Sequence, residues 1–207
     1  IKMLIVACNT ASAHSLPTLE SRFEIPIVGV IEPGARAAVN ATRLGQVGII
    51  GTLGTVGSGV YEASISRLSD NRVITAAEPC PLFVPLADEG WISGEVPRLV
   101  ATKYLSELKG KLPDLDVIIL GCTHYPVLRD TIQDIADEVF GRPITLIDSG
   151  IETAKAAKEF LTTQESLSTS KIRGDVKVFV TDSSRISAIG TRFLGEPIGW
   201  VEQVDIV

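Results

Sequence analysis

No apolar run in this chain is long enough to cross a membrane. The strand-like stretch at residues 117–120 falls far short of the roughly 18 residues that a span requires. Clusters of lysine and arginine are missing too, and the 207 residues carry a net charge of −6, a balance that repels phosphate backbones and argues against nucleic acid as a partner. The three cysteines are an odd number and too few for a disulfide framework, which points to free thiols in a reducing cytoplasm. With two histidines, and neither CxxC nor HxxxH spacing, the sequence offers no metal site. The glycines at 48, 51, 54 and 57 recur every third residue, so they form no GxGxxG fingerprint, and no Gly-Lys-Ser/Thr follows them. No lysine stands in an obvious Schiff-base context. These absences leave a protein acting on a small molecule without a nucleotide, a metal or another cofactor.

What is present is ordinary for a folded α/β chain: 45% hydrophobic and 21% charged residues. Apolar, β-branched runs at residues 3–8, 27–31, 47–51, 73–77, 116–121, 144–148 and 176–181 predict strands. Between them, amphipathic patterns predict helices over 11–22, 34–44, 56–69, 95–108, 127–139, 152–163 and 184–194. Pro26, Pro33, Gly45, Pro113, Gly141 and Pro143 punctuate the joints. This alternation predicts a mostly parallel sheet flanked by helices, with ligands bound beyond the carboxyl ends of the strands. The polar stretch at 167–174 reads as a mobile loop rather than a domain linker.

Two segments resemble each other. Leu4-Ile5-Val6-Ala7-Cys8-Asn9-Thr10 and Val117-Ile118-Ile119-Leu120-Gly121-Cys122-Thr123-His124 each end an apolar run in a cysteine just before a helical pattern. A helix start supplies unpaired N–H groups and positive dipole potential, both of which favour a thiolate. A lone cysteine at a strand end is ordinarily a small buried hydrophobe. Two in matching contexts suggest a pair of opposed acid/base thiols, one per lobe, with the cleft between lobes as the site. Thr10 and Thr123 are placed to donate hydrogen bonds to the sulfurs.

Other candidates are secondary. His124 is close enough to Cys122 to pair with the thiolate or to orient a substrate carboxylate. Asp88 or Glu89, before Gly90-Trp91, could tune a histidine or thiol, although such a pair is also what a solvated loop contains. Cys80, between two prolines, reads as a packing residue, and His14, inside a helix, as a surface or packing residue. Thr52 or Thr55, in the glycine-rich turn, could face an anion such as a carboxylate.

Ala7-Cys8-Asn9-Thr10-Ala11-Ser12-Ala13 and Gly121-Cys122-Thr123-His124-Tyr125-Pro126 resemble the motifs of glutamate racemase, in the cofactor-independent aspartate/glutamate racemase superfamily. Gly29-Val30-Ile31-Glu32-Pro33, Cys80-Pro81-Leu82-Phe83-Val84-Pro85-Leu86 and Ile147-Asp148-Ser149-Gly150 extend the likeness over nearly the whole chain. The resemblance implies two pseudo-symmetric α/β lobes, residues 1–31 with 149–207 and residues 32–148, and an active site in the cleft between them. It assigns Cys8 and Cys122 as the catalytic thiols that flank the substrate Cα. It gives substrate contacts to Asn9, Thr10, Thr123 and His124, and an auxiliary carboxylate to Asp88, where the family commonly carries glutamate, or to Glu89. It implies cytoplasmic interconversion of L- and D-glutamate for peptidoglycan, without cofactor, and allows a homodimer. Family members also carry a glycine-rich Asp-Ser-Gly segment and a Tyr-Gly pair ahead of the first cysteine strand, so a missing upstream segment is expected here.

Three other readings compete. One is a racemase of aspartate or a related amino acid, or a cis–trans diacid isomerase of the same superfamily. Another is a fold that binds an amino acid without turning it over. The third is a thiol transferase or hydrolase using Cys122 and His124, which would leave Cys8 unexplained.

Overall fold

β1 (Leu4–Val6) and β2 (Ile27–Gly29) pair in parallel, joined by α1 (Asn9–Arg22), with Leu4 opposite Ile27 and Val6 opposite Gly29. α2 (Ile31–Ala41) then leads into a second, four-stranded sheet. Its strands are β3 (Gln46–Gly51), β4 (Ile74–Pro79), β5 (Val117–Gly121) and β6 (Thr145–Asp148), all parallel, in the spatial order β4-β3-β5-β6. α3 (Leu53–Gly57) and α4 (Val60–Leu68) connect β3 to β4, and α5 (Phe83–Glu89) and α6 (Glu95–Lys111) connect β4 to β5. A 3₁₀ turn, Tyr125–Leu128, and α7 (Arg129–Phe140) lead to β6, and α8 (Ser149–Thr163) follows it.

The computed structural model describes residues 1–206 and divides into two compact units, residues 1–167 and the part from Ser168 onward. In the first, the central strands β3 and β5 are covered on both faces, which is why they read as continuous apolar runs rather than as alternating ones. On one face Val47, Ile49, Val117, Ile119 and Ile147 pack with Ile31, Ala35 and Ala38 of α2 and Tyr61 and Ile65 of α4. On the other, α6 comes in closely: a Cβ placed on Gly48 would lie 2.9 Å from methyl carbons of both Leu108 and Leu115. In the second unit, β7 (Lys177–Val180) runs parallel to β8 (Trp200–Gln203), with α9 (Ile186–Leu194) between them in sequence. Phe179 and Trp200 meet edge to face at 5.4 Å.

The α/β architecture of parallel strands and covering helices is the one predicted. Several boundaries differ. The helix expected over 56–69 is two helices, broken at Gly59, whose φ of 66° is a left-handed conformation that glycine adopts without steric cost. α1 begins at Asn9 rather than at residue 11, and α2 begins at Ile31 rather than at residue 34, with Pro33 in its first turn, where no intrahelical N–H is needed. α5 and β8 were not anticipated. The polar stretch at 167–174, read as a loop rather than a boundary, is where the two units part.

Candidate active site

Cys8 sits two residues beyond β1, at the N-cap of α1. Its backbone is extended (φ −80°, ψ 126°), and its Sγ accepts a hydrogen bond from Ala11 N at 3.5 Å. The sulfur thus occupies the position usually held by a serine or aspartate oxygen, against the positive end of a 14-residue helix. Cys8 is exposed.

Cys122 directly follows β5 and is buried, 6% exposed. It was expected shortly before a helix over 127–139. A 3₁₀ turn, Tyr125–Leu128, comes first, with Pro126 as its second residue, and α7 begins at Arg129. Donors for the sulfur are present all the same: the amides of His124 and Tyr125 and the Thr123 hydroxyl favour the thiolate. Burial outweighs them, with the neighbouring Cys8 adding in the same direction, and the Cys122 thiol is pushed up to about 11.

The two cysteines line one cavity of about 180 Å³, together with Asn9, Thr10, Thr52, Val84, Gly121, Thr123 and His124. All of it lies within the first unit, at the carboxyl edges of the β1–β2 sheet and the four-stranded sheet. His124 Nδ1 is 3.7 Å from Cys122 Sγ and 3.4 Å from Thr123 Oγ1, and its Nε2 is 3.3 Å from Asp88 Oδ1. α5 carries both Asp88 and the apolar lining residue Val84. Of the two acidic residues weighed from the sequence, Asp88 is the one brought to His124. Glu89 lines a separate apolar groove with Leu82, Pro85, Leu86 and Trp91.

Thr10 was expected to donate to Cys8. Its hydroxyl instead closes a triangle with Thr52 Oγ1 at 2.8 Å and Thr55 Oγ1 at 3.1 Å. The reason is long-range: Thr52 caps α3, accepting from Thr55 N at 3.1 Å, and presents its oxygen to the start of α1. Thr10 and Thr52 both remain at the cavity wall. Asn9 is nearly fully buried, with its amide between Tyr61 and Ser149.

Cys80 is fully buried, packs among core residues and does not line the cavity. Its carbonyl accepts from the Tyr125 hydroxyl at 2.8 Å, which anchors the turn after Cys122. His14 Nε2 lies 3.2 Å from the Gly54 carbonyl and ties α1 to α3. Among the described residues, no three His, Cys, Asp or Glu side chains gather as a metal site, and no helix is long and apolar enough to cross a membrane. Val84 was missed, because the Pro-rich stretch around it gave no helical signal. Thr52 was legible only as an anion-facing hydroxyl.

The chain as a whole is similar to known racemases. The Asp/Glu/hydantoin racemase family model matches residues 1–157. A glutamate racemase of Geobacter metallireducens is 46% identical over the whole chain, which spans 74% of that relative. One from Aquifex aeolicus is 39% identical over 96% of the chain and 71% of its own length. Among solved structures, the glutamate racemase of Francisella tularensis in complex with D-glutamate superposes with a TM-score of 0.87 at 32% identity, covering 99% of this chain and 74% of that one. The aspartate racemase of Picrophilus torridus, at 21% identity and a TM-score of 0.53 over 78% of this chain and 63% of its own, shares the fold alone.

Proposed function

The chain belongs to the Asp/Glu/hydantoin racemase family and, within it, to the glutamate racemases, and from that premise we propose that its own Cys8 and Cys122 are the acid/base pair that interconverts L- and D-glutamate. The observation that carries this reading is that both thiols, delivered by two different sheets, line one cavity of about 180 Å³. We read the β1–β2 sheet and the four-stranded sheet as the cores of the two lobes, with one sulfur from each. The product D-glutamate serves peptidoglycan, and the three free thiols agree with a cytoplasmic setting.

One cysteine, as thiolate, removes the α-proton from one face of the amino acid and becomes a thiol. The other, as thiol, delivers its proton to the opposite face and becomes a thiolate. The Cα configuration inverts, the proton count is unchanged and no electrons are exchanged. Burial keeps Cys122 protonated at neutral pH, the form needed in the member that donates. In the reverse direction Cys8 starts as the thiol and Cys122 as the thiolate; where both start protonated, His124 Nδ1 at 3.7 Å is the adjacent acceptor for the Cys122 proton. Asp88, on the other ring nitrogen, stabilises the imidazolium that results. Asn9, Thr10, Thr52 and Thr123 surround the space with donors for the substrate carboxylates.

Incubation with L-glutamate and, separately, L-aspartate in D₂O, followed by optical rotation and by NMR of the α-proton, tests the assignment. Glutamate should lose rotation and acquire α-deuterium. Retained rotation with the α-proton intact would make the protein a binder only, and faster turnover of aspartate would reassign the substrate.

A further inference from the structure

Asn9 stands beside Cys8, Leu120 lies two residues before Cys122, and a cluster of hydrogen bonds that also ties Ser149 to Tyr61 joins them. The Tyr61 hydroxyl donates to Asn9 Oδ1 at 2.7 Å. Asn9 Nδ2 donates to Ser149 Oγ at 3.4 Å, and Ser149 Oγ donates to the Leu120 carbonyl at 3.1 Å. We propose that Tyr61 and Ser149 are positioning residues that fix the Asn9 amide with an N–H toward the cavity, so that this subsite takes a substrate carboxylate and rejects the ammonium. The proposal rests on the racemase reading for its substrate, and on the relay alone for the orientation.

The sense of the relay follows from its last member. A carbonyl oxygen can only accept, so with the Ser149 hydrogen on Leu120 the Ser149 oxygen is left to receive from Asn9, while the same hydroxyl also lies against the Tyr61 phenol. That puts the amide nitrogen on the Ser149 side and the amide oxygen on the Tyr61 side, where a hydroxyl hydrogen meets it. Burial raises the Tyr61 phenol well above its ordinary range, so it remains a donor at every pH at which the protein works. An asparagine amide is nearly symmetric in shape and could otherwise sit either way round. Held like this, its oxygen is occupied and one of its two N–H hydrogens is unspent on protein. That hydrogen belongs to a residue that lines the cavity. A carboxylate oxygen can accept it; an ammonium group has no lone pair with which to do so.

The seat of Tyr61 permits a clean test. A Cβ on Gly34 would lie 3.2 Å from the Tyr61 hydroxyl, and one on Gly121 would lie 3.4 Å from the ring edge, so the ring fits between two glycines. Tyr61→Phe keeps that packing and removes only the donor. Steady-state kinetics with both enantiomers should show KM raised roughly tenfold, the order expected for losing an oriented hydrogen bond to a charged group. The value of kcat should change by less than about threefold, since the loss falls on ground-state binding. Ser149→Ala should have the same effect, and it replaces Tyr61→Phe as the test should that variant fail to fold. In ¹⁵N-labelled protein, the Asn9 side-chain amide hydrogens should exchange with solvent faster in either variant than in the wild type. A folded variant with KM within about twofold of wild type overturns the proposal, as does equal amide exchange in wild type and variants. Wild-type protein that leaves glutamate unchanged would sink the racemase reading instead, and the exchange comparison would still decide the relay.

Discussion

The Asp88 carboxylate lies 3.3 Å from Nε2 of His124, on the side of the ring opposite Cys122. Both ring nitrogens of the histidine are thereby committed, one to an acid that can release a proton and one to a carboxylate that welcomes the resulting charge. Asp88→Asn keeps the shape and removes the charge. We expect kcat to fall about 10- to 100-fold with KM little changed, and Asp88→Glu to recover most of the loss. Steady-state racemisation assays on the three proteins check this. A fully active Asp88→Asn variant would reduce the contact to a structural one.

Cys8→Ala and Cys122→Ala should each reduce glutamate racemisation by at least about a thousandfold while leaving the fold intact, because a one-thiol site cannot both remove and deliver the proton. Circular dichroism of the product and thermal melting of each variant are the paired measurements. Substantial turnover by either one would refute the two-base assignment.

The Cys122 thiol, raised by burial to about 11 from an ordinary 9, makes a further prediction about pH. Its folded-state value lies above its unfolded one, so below about pH 9 its contribution to stability is fully present. As pH climbs through about 9 to 11 the unfolded chain ionises first and that contribution is lost. Melting temperature should therefore decline over this window, and Cys122→Ala should flatten part of the decline. Identical pH profiles for the two proteins would contradict the burial argument.

Cys80 gives the control. It is buried, its thiol is held well above the ordinary range by burial and by the nearby Glu78, and it lies outside the cavity. Cys80→Ala should cost about 1–2 kcal/mol of stability through the small void it leaves, with kcat and KM unchanged. Chemical denaturation alongside kinetics would show it. A folded but inactive variant would call for a new role for this thiol.

Much of this was legible in the sequence for one physical reason. Strands buried on both faces are continuous apolar runs, so β3 and β5 announce themselves, and the cysteine at the end of such a run falls at a carboxyl edge. What was hidden depends on contacts distant in sequence. Thr10 and Thr52 are far apart in the chain, and nothing local to either foretells that their hydroxyls meet. α5 was obscured because Pro79, Pro81 and Pro85 suggest a loop. Pro85 falls in the helix's first turn, where proline does no harm, and the turn that follows brings Asp88 to His124. The Asn9 amide, between Tyr61 and Ser149, needed three separate segments before its orientation had meaning.

The two sulfurs live in unlike surroundings, one capping a helix in the open and the other sunk below the surface with a histidine beside it. Mirror-image substrates nonetheless have equal free energies in water, so the ratio kcat/KM must be identical for the two directions of the reaction. The difference between the thiols can therefore surface only as parallel changes in kcat and in KM. Whichever enantiomer is bound more tightly must be converted more slowly at saturation, by the same factor.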